Sequence, residues 1–125
     1  MSAPRKLAAL DAIAALRRDT ALQDLAVARG AEFAVFQSIA ALTARRREAA
    51  AAADPTDMAA SVQLDRYCRW AEAQLQSAKT RLVEAEKTSE NCRRGAALAL
   101  GRTEALDRLA QRLAAERRAK RTRSV

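Results

Sequence analysis

Residues 64–113 read LDRYCRWAEAQLQSAKTRLVEAEKTSENCRRGAALALGRTEALDRLAQRL. Stepping from Leu64 by four residues, then three, then four reaches Leu64, Cys68, Ala71, Leu75, Ala78, Leu82, Ala85, Ser89, Cys92, Ala96, Ala99, Thr103, Leu106, Ala110 and Leu113. These fifteen consecutive stops carry no charge, in a chain that is 30% charged. A seven-residue repeat sets such side chains on one narrow face of a long α-helix, the seam a coiled coil buries against a partner helix. Most stops are small residues between leucines, so a partner backbone can approach closely.

Working outward toward the N-terminus, the one good break is Asp54-Pro55-Thr56-Asp57. Asp54 suits an N-cap, Pro55 the first helical position, and Asp57 follows three residues after the cap. The pattern predicts a second helix over about 55–120, with Gly95 and Gly101 as soft points, and fraying over Thr122–Val125. Upstream, Ser2 or Ala3 with Pro4 marks a helix start, and only Gly30 breaks the run from Arg5 to about Ala53. Apolar residues recur there at Leu7, Leu10, Ile13, Leu22, Leu25, Phe33, Phe36, Ile39 and Leu42. Arg29, Gly30 and Glu32 interrupt this looser pattern and mark a candidate kink.

Two long helices joined by one short turn fold back on each other. The expected architecture is therefore all-α: a long two-helix antiparallel coiled-coil hairpin, one domain over 1–125. A turn centred near Pro55 sets Ile39 opposite Ala71, Val35 opposite Leu75, and Leu25 opposite Ala85. In that register the first helix runs out opposite about Ala105, and the second overhangs with its basic end, Glu116 to Val125.

Composition agrees with long helices. Aromatics are 3%, with three Gly and two Pro in 125 residues, a profile of helix formers with few turns. Net charge is +8, from 23 basic and 15 acidic residues. That favours an anionic partner, whether nucleic acid, lipid or an acidic protein surface. Arg117, Arg118, Lys120, Arg121 and Arg123 contribute five of the eight charges. Cys68 and Cys92 stand 24 residues apart on one expected helix. That is about 36 Å of helix, too far for a disulfide within the chain. With no histidine present, no zinc site is expected. No stretch reads as a membrane span, and the first twenty residues lack a clear cleavage site, so a cytoplasmic location is expected.

Three features are candidates for binding. Tyr67 and Trp70 lie off the seam just after the turn, with Gln74 and Ser77 continuing the same outer face. An exposed tryptophan is a frequent binding hot spot, and the competing reading folds Trp70 over the first helix near Leu42. The basic tail, Arg117 to Arg123, suits phosphate, an acidic protein or anionic lipid, or simply a solvated helix end. Arg45, Arg46 and Arg47, with Arg66 and Arg69 across the turn, make the turn end basic as well. Glu72, Glu84, Glu86 and Glu90 sit at helical spacings from basic residues and read as ion-pair partners. Nothing here assembles a nucleophile, a general base or a phosphate loop, so no enzyme activity, cofactor or small-molecule ligand is expected.

The leucines of Leu7–Leu25, the stretch Leu64-Asp65-Arg66-Tyr67-Cys68-Arg69-Trp70, the run Ala105-Leu106-Asp107-Arg108-Leu109 and the Glu/Arg/Lys tail together resemble the flagellar FliJ and type III secretion YscO family. The resemblance extends over most of the chain. It implies a stalk that inserts into a hexameric export ATPase and touches the cytoplasmic domain of the export gate, at the inner face of the bacterial inner membrane. Substrate chaperones are further implied partners. It places the ATPase-facing end at Leu7, Leu10, Leu106, Leu109, Leu113, Arg117, Arg118, Lys120 and Arg121, and the gate- or chaperone-facing patch at Tyr67, Trp70, Gln74 and Ser77. Gln74, Ser77 and Arg81 depart from the family, which is more apolar on that face. Two rival readings remain: a generic coiled-coil scaffold in which the seam pairs between chains, and a basic hairpin that binds nucleic acid.

Overall fold

The computed structural model describes residues 3–124. The expected cap at Ser2 and the fraying expected at Val125 lie outside them. The described residues form an all-α helical hairpin: α1 spans Ala3–Ala52 and α2 spans Met58–Ser124. Gly30, Gly95 and Gly101 all sit inside helix. The second helix starts and ends later than expected. At its end, the Thr122 hydroxyl donates to the Arg118 carbonyl and the Ser124 hydroxyl to the Lys120 carbonyl.

The late start has a local cause. Asp54 does not cap α2. Its carboxylate instead accepts from the Thr56 amide at 2.9 Å and the Thr56 hydroxyl at 2.7 Å. The Asp57 amide donates to the Asp54 carbonyl. These bonds make Asp54–Asp57 a β-turn with Pro55 at its second position, where a fixed φ suits it. The cap passes to Asp57, whose carboxylate accepts from the Ala60 amide and whose carbonyl accepts the first helical bond, from Ser61.

The hairpin divides into two compact units. The first runs from Val27 to Glu90 and holds the turn. On its α2 side Ala71, Leu75, Ala78 and Ser89 are buried, with Ala71 at 0% and Leu75 at 4% exposure. Leu82 and Ala85 fill the stops between them and are half-buried. On its α1 side the inward residues are Ala28, Glu32, Val35, Ile39, Leu42 and Arg46. They too follow steps of four and three, but two of them are charged. The larger apolar residues face away, with Phe33 58% and Phe36 57% exposed. A seam of alanines keeps the two backbones close and leaves no room for a phenyl ring. The aliphatic stems of Arg46 and Glu32 fit along it instead.

The register within this unit differs from the expected one. Arg46 donates to Glu72 at 2.7 Å. Ile39 opposite Ala71 would have set Arg46 against Leu64, so the observed partner lies eight residues further along. Ser38 and Leu42 likewise share a groove with Ala78 and Arg81. Six residues of α1 follow Arg46, whereas fourteen of α2 precede Glu72. The first turns of α2 therefore run beside residues 53–57, where Ala53, Ala60, Ser61 and Leu64 are half-buried.

The second unit joins the start of α1, up to Ala26, to α2 from Asn91 onward. Ala14, Ala96 and Ala99 are its buried residues. Leu25, Cys92, Thr103, Leu106 and Leu113 are half-buried, again at heptad stops. Leu7 shares a groove with Leu113 and Arg117. The first helix thus runs out near Arg117 and not Ala105, and the overhang shortens to the last few basic residues.

One expectation from hydropathy is also corrected. By length and composition α1 holds an 18-residue window of mean hydropathy 1.3, of which 6% is buried. Residues 25–42 have Arg29 and Glu32 as their only charges, so the run of Ala, Val and Phe outweighs them.

Candidate docking surfaces

In the turn-bearing unit, Tyr67 and Trp70 lie one helical turn apart on α2 because three residues is close to one 3.6-residue turn. Their ring centroids are 5.9 Å apart and tilted by 34°. Trp70 is 54% exposed, yet it also borders a groove of about 290 Å³ with Ser38, Leu42, Arg45, Gln74 and Arg81. Trp70 thus shares a groove with Leu42 of the first helix while much of its ring faces solvent. Ser77 is exposed and lies outside the groove lining. Arg45 and Arg81, neither in an ion pair among the described residues, line it.

The turn end is not a basic tip. Arg46 is tied to Glu72, and Arg69 pairs with Asp65 at 3.1 Å. From Val27 to Glu90 the chain carries nine basic and nine acidic residues. Glu72 is held below its ordinary pKa, first by a hydrogen bond from Gln76 and then by one from Arg46. Asp54 is lowered by the Thr56 hydroxyl and amide. Glu84 pairs with Lys87 at 3.5 Å.

The unit that holds both chain ends carries all of the net charge, with fourteen basic and six acidic residues. Leu10 and Leu106 meet in a groove of about 320 Å³ with Ile13, Arg17 and Arg102. Leu7, Leu113 and Arg117 border a second groove of about 270 Å³ with Asp11. Arg117, Arg118, Lys120 and Arg121 are exposed, and none forms an ion pair among the described residues. Leu109 stands apart on the outer surface. The structure therefore brings together four of the five expected leucines of this end, in two grooves. Sequence reasoning missed Ile13 and Arg17 as groove residues. Their signal was a place three and seven residues after Leu10, helical spacings on the same face. It also missed Leu16, Leu98 and Leu100, all exposed.

Cys68 and Cys92 are free thiols at half-buried seam stops. Among the described residues no three His, Cys, Asp or Glu side chains stand close enough to hold a metal ion. In comparisons with known protein families, curated proteins and solved structures, the chain matched none.

Proposed function

We propose that this chain is a non-catalytic stalk of a type III protein-export apparatus, working in the cytoplasm at the inner face of the membrane. The unit with both chain ends docks into the central opening of the hexameric export ATPase. The patch at Tyr67 and Trp70 turns toward the export gate or substrate chaperones. The single observation that carries this reading is the division of charge, fourteen basic to six acidic in one unit and nine to nine in the other. A unit so charged is drawn to an acidic lumen, and its exposed Leu10 and Leu109 give the contact an apolar component once water is displaced. The resemblance described above supplies the identity of the ring.

Such a stalk breaks and forms no covalent bonds. It biases assembly of the hexamer by binding the assembled ring better than free subunits, and stability then follows mass action. The test is a pull-down and ATPase assay with the export ATPase of the same genome. Wild type is compared with a chain lacking residues 117–125. Stimulated hexamer formation that needs those residues supports the stalk. The same charge also suits a polyanion, so the assay includes random-sequence DNA. Binding to DNA that falls steeply with salt, without binding to the ATPase, would replace the stalk with a nucleic-acid reading.

A further inference from the structure

The turn-bearing unit exposes an apolar flank that the proposed function leaves unused. Phe33 and Phe36 stand on the outer side of α1 at 58% and 57% exposure, and Val83 is 49% exposed on α2. Equal steps from the Arg46–Glu72 bond place Phe36 across from Leu82, with Val83 next to it. Heptad position sets all three on one flank, the side of Glu72. Lys79 and Glu86 follow Glu72 at steps of seven on that same edge. Both are exposed, and among the described residues neither stands in an ion pair, Lys79 acting on Glu72 only through its charge at longer range.

These residues form a self-complementary set. A two-fold axis lying in the plane of the flank and crossing both helices at right angles, between Phe33 and Phe36, passes within about a residue of the midpoint of Lys79 and Glu86. Rotation about it lays Phe33 on the Phe36 of a second copy and Phe36 on its Phe33. It also brings Lys79 to the second copy's Glu86, twice over. Such isologous contact, each patch meeting itself, is the usual symmetry of homodimers. Clustered exposed aromatic rings favour a contact of this kind. The unit is neutral, nine charges against nine, so this unit adds no net repulsion where it meets its own copy. A flank of the basic unit would repel its own copy.

We infer that the flank carrying Phe33, Phe36, Lys79 and Glu86 is covered by the same flank of a second copy of this chain. The hairpins stay closed and pair side to side, in antiparallel fashion. This goes beyond the stalk reading and does not depend on it.

The test is the mass of the full chain by sedimentation across a range of concentrations. Mass rises from 13.6 kDa for one chain toward twice that value. Lys79→Glu alone, or Glu86→Lys alone, puts like charges together at both symmetric contacts and weakens the dimer about tenfold or more. The double variant restores it, a rescue that no structural role within one chain explains. Phe36→Glu leaves a single chain of unchanged helical content. A single-chain mass at all concentrations overturns the proposal. So does a dimer that ignores the charge variants, the behaviour of two opened hairpins exchanging helices. A third overturning result is a single-chain mass together with Phe36-dependent binding to phosphatidylcholine vesicles, which would make lipid the occupant.

Discussion

Replacing Leu75 by alanine tests the seam most directly. Leu75 is the one leucine among the buried residues, at 4% exposure. The change removes three carbons. At about 0.8 kcal/mol per buried methylene the transfer loss is about 2.4 kcal/mol. In a closed core a cavity term raises the cost of Leu→Ala to about 2–5 kcal/mol. Here the neighbours along the seam are Ala71 and Ala78, and two helices can close over a gap more readily than a three-dimensional core. The expected loss is therefore near the lower bound, about 2–3 kcal/mol. With a urea m-value of about 1–3 kcal/mol/M, the unfolding midpoint falls by roughly 0.7–3 M. The assay is urea titration followed by far-UV circular dichroism. Leu16→Ala, at a side chain 69% exposed, serves as the control and changes stability by less than about 0.5 kcal/mol. Equal shifts for the two variants would refute the burial of the stripe.

Further outcomes follow from the same structure. Ala71→Leu forces a large side chain into a position with no exposure and destabilises by about 1–3 kcal/mol in the same titration. Asp57→Ala leaves the Ala60 amide without its side-chain acceptor and costs about 1 kcal/mol, read as a lower melting temperature. Gly30→Ala adds a methyl where nothing lies within 4 Å, and it stabilises by about 1 kcal/mol in thermal melts because alanine is the better helix former. Glu72 has its folded pKa below the ordinary 4.5, so its contribution is full above that value and is lost as pH falls through the lowered one. Acid melts of Glu72→Gln therefore decline less below pH 4.5 than those of wild type, and equal declines would exclude the Arg46 and Gln76 bonds as the cause.

The second helix was legible because its seam is uncharged. Every buried residue of α2, from Ala71 to Ala99, is a stop of the repeat read from the sequence. The inner face of α1 was not legible, because Arg18, Glu32 and Arg46 occupy stops in it while Phe33 and Phe36 do not. Size and apolarity point to the phenylalanines, but the close approach set by the opposing alanines excludes them. The register failed for a related reason. A seam of near-identical small residues matches itself at many offsets, and a long-range bond such as Arg46–Glu72 distinguishes them. The turn was placed correctly, but its chemistry was misassigned. Asp54 and Asp57 are both plausible caps, and the neighbouring Thr56 draws Asp54 away. At the chain ends it was legible that two helices run back along each other, but the groove of Leu7 with Leu113 was not, since the expected register set Leu7 against Thr103. The confinement of net charge to one unit was not, because it depends on where the chain divides.

The single turn also dictates an order of assembly. Arg46 and Glu72 close a loop of 26 residues. Leu7 and Leu113 meet across 106 residues of chain. Closing the longer loop unaided costs about 1.2 kcal/mol more in chain entropy, and far less once the shorter one has formed. Pairing therefore starts beside the turn and zips toward the termini, and opening runs the other way. Amide protons beside Leu75 exchange slowest and those nearest the chain ends fastest. The basic unit is thus the part of the chain most often exposed in a half-open form, ready to close around whatever it binds.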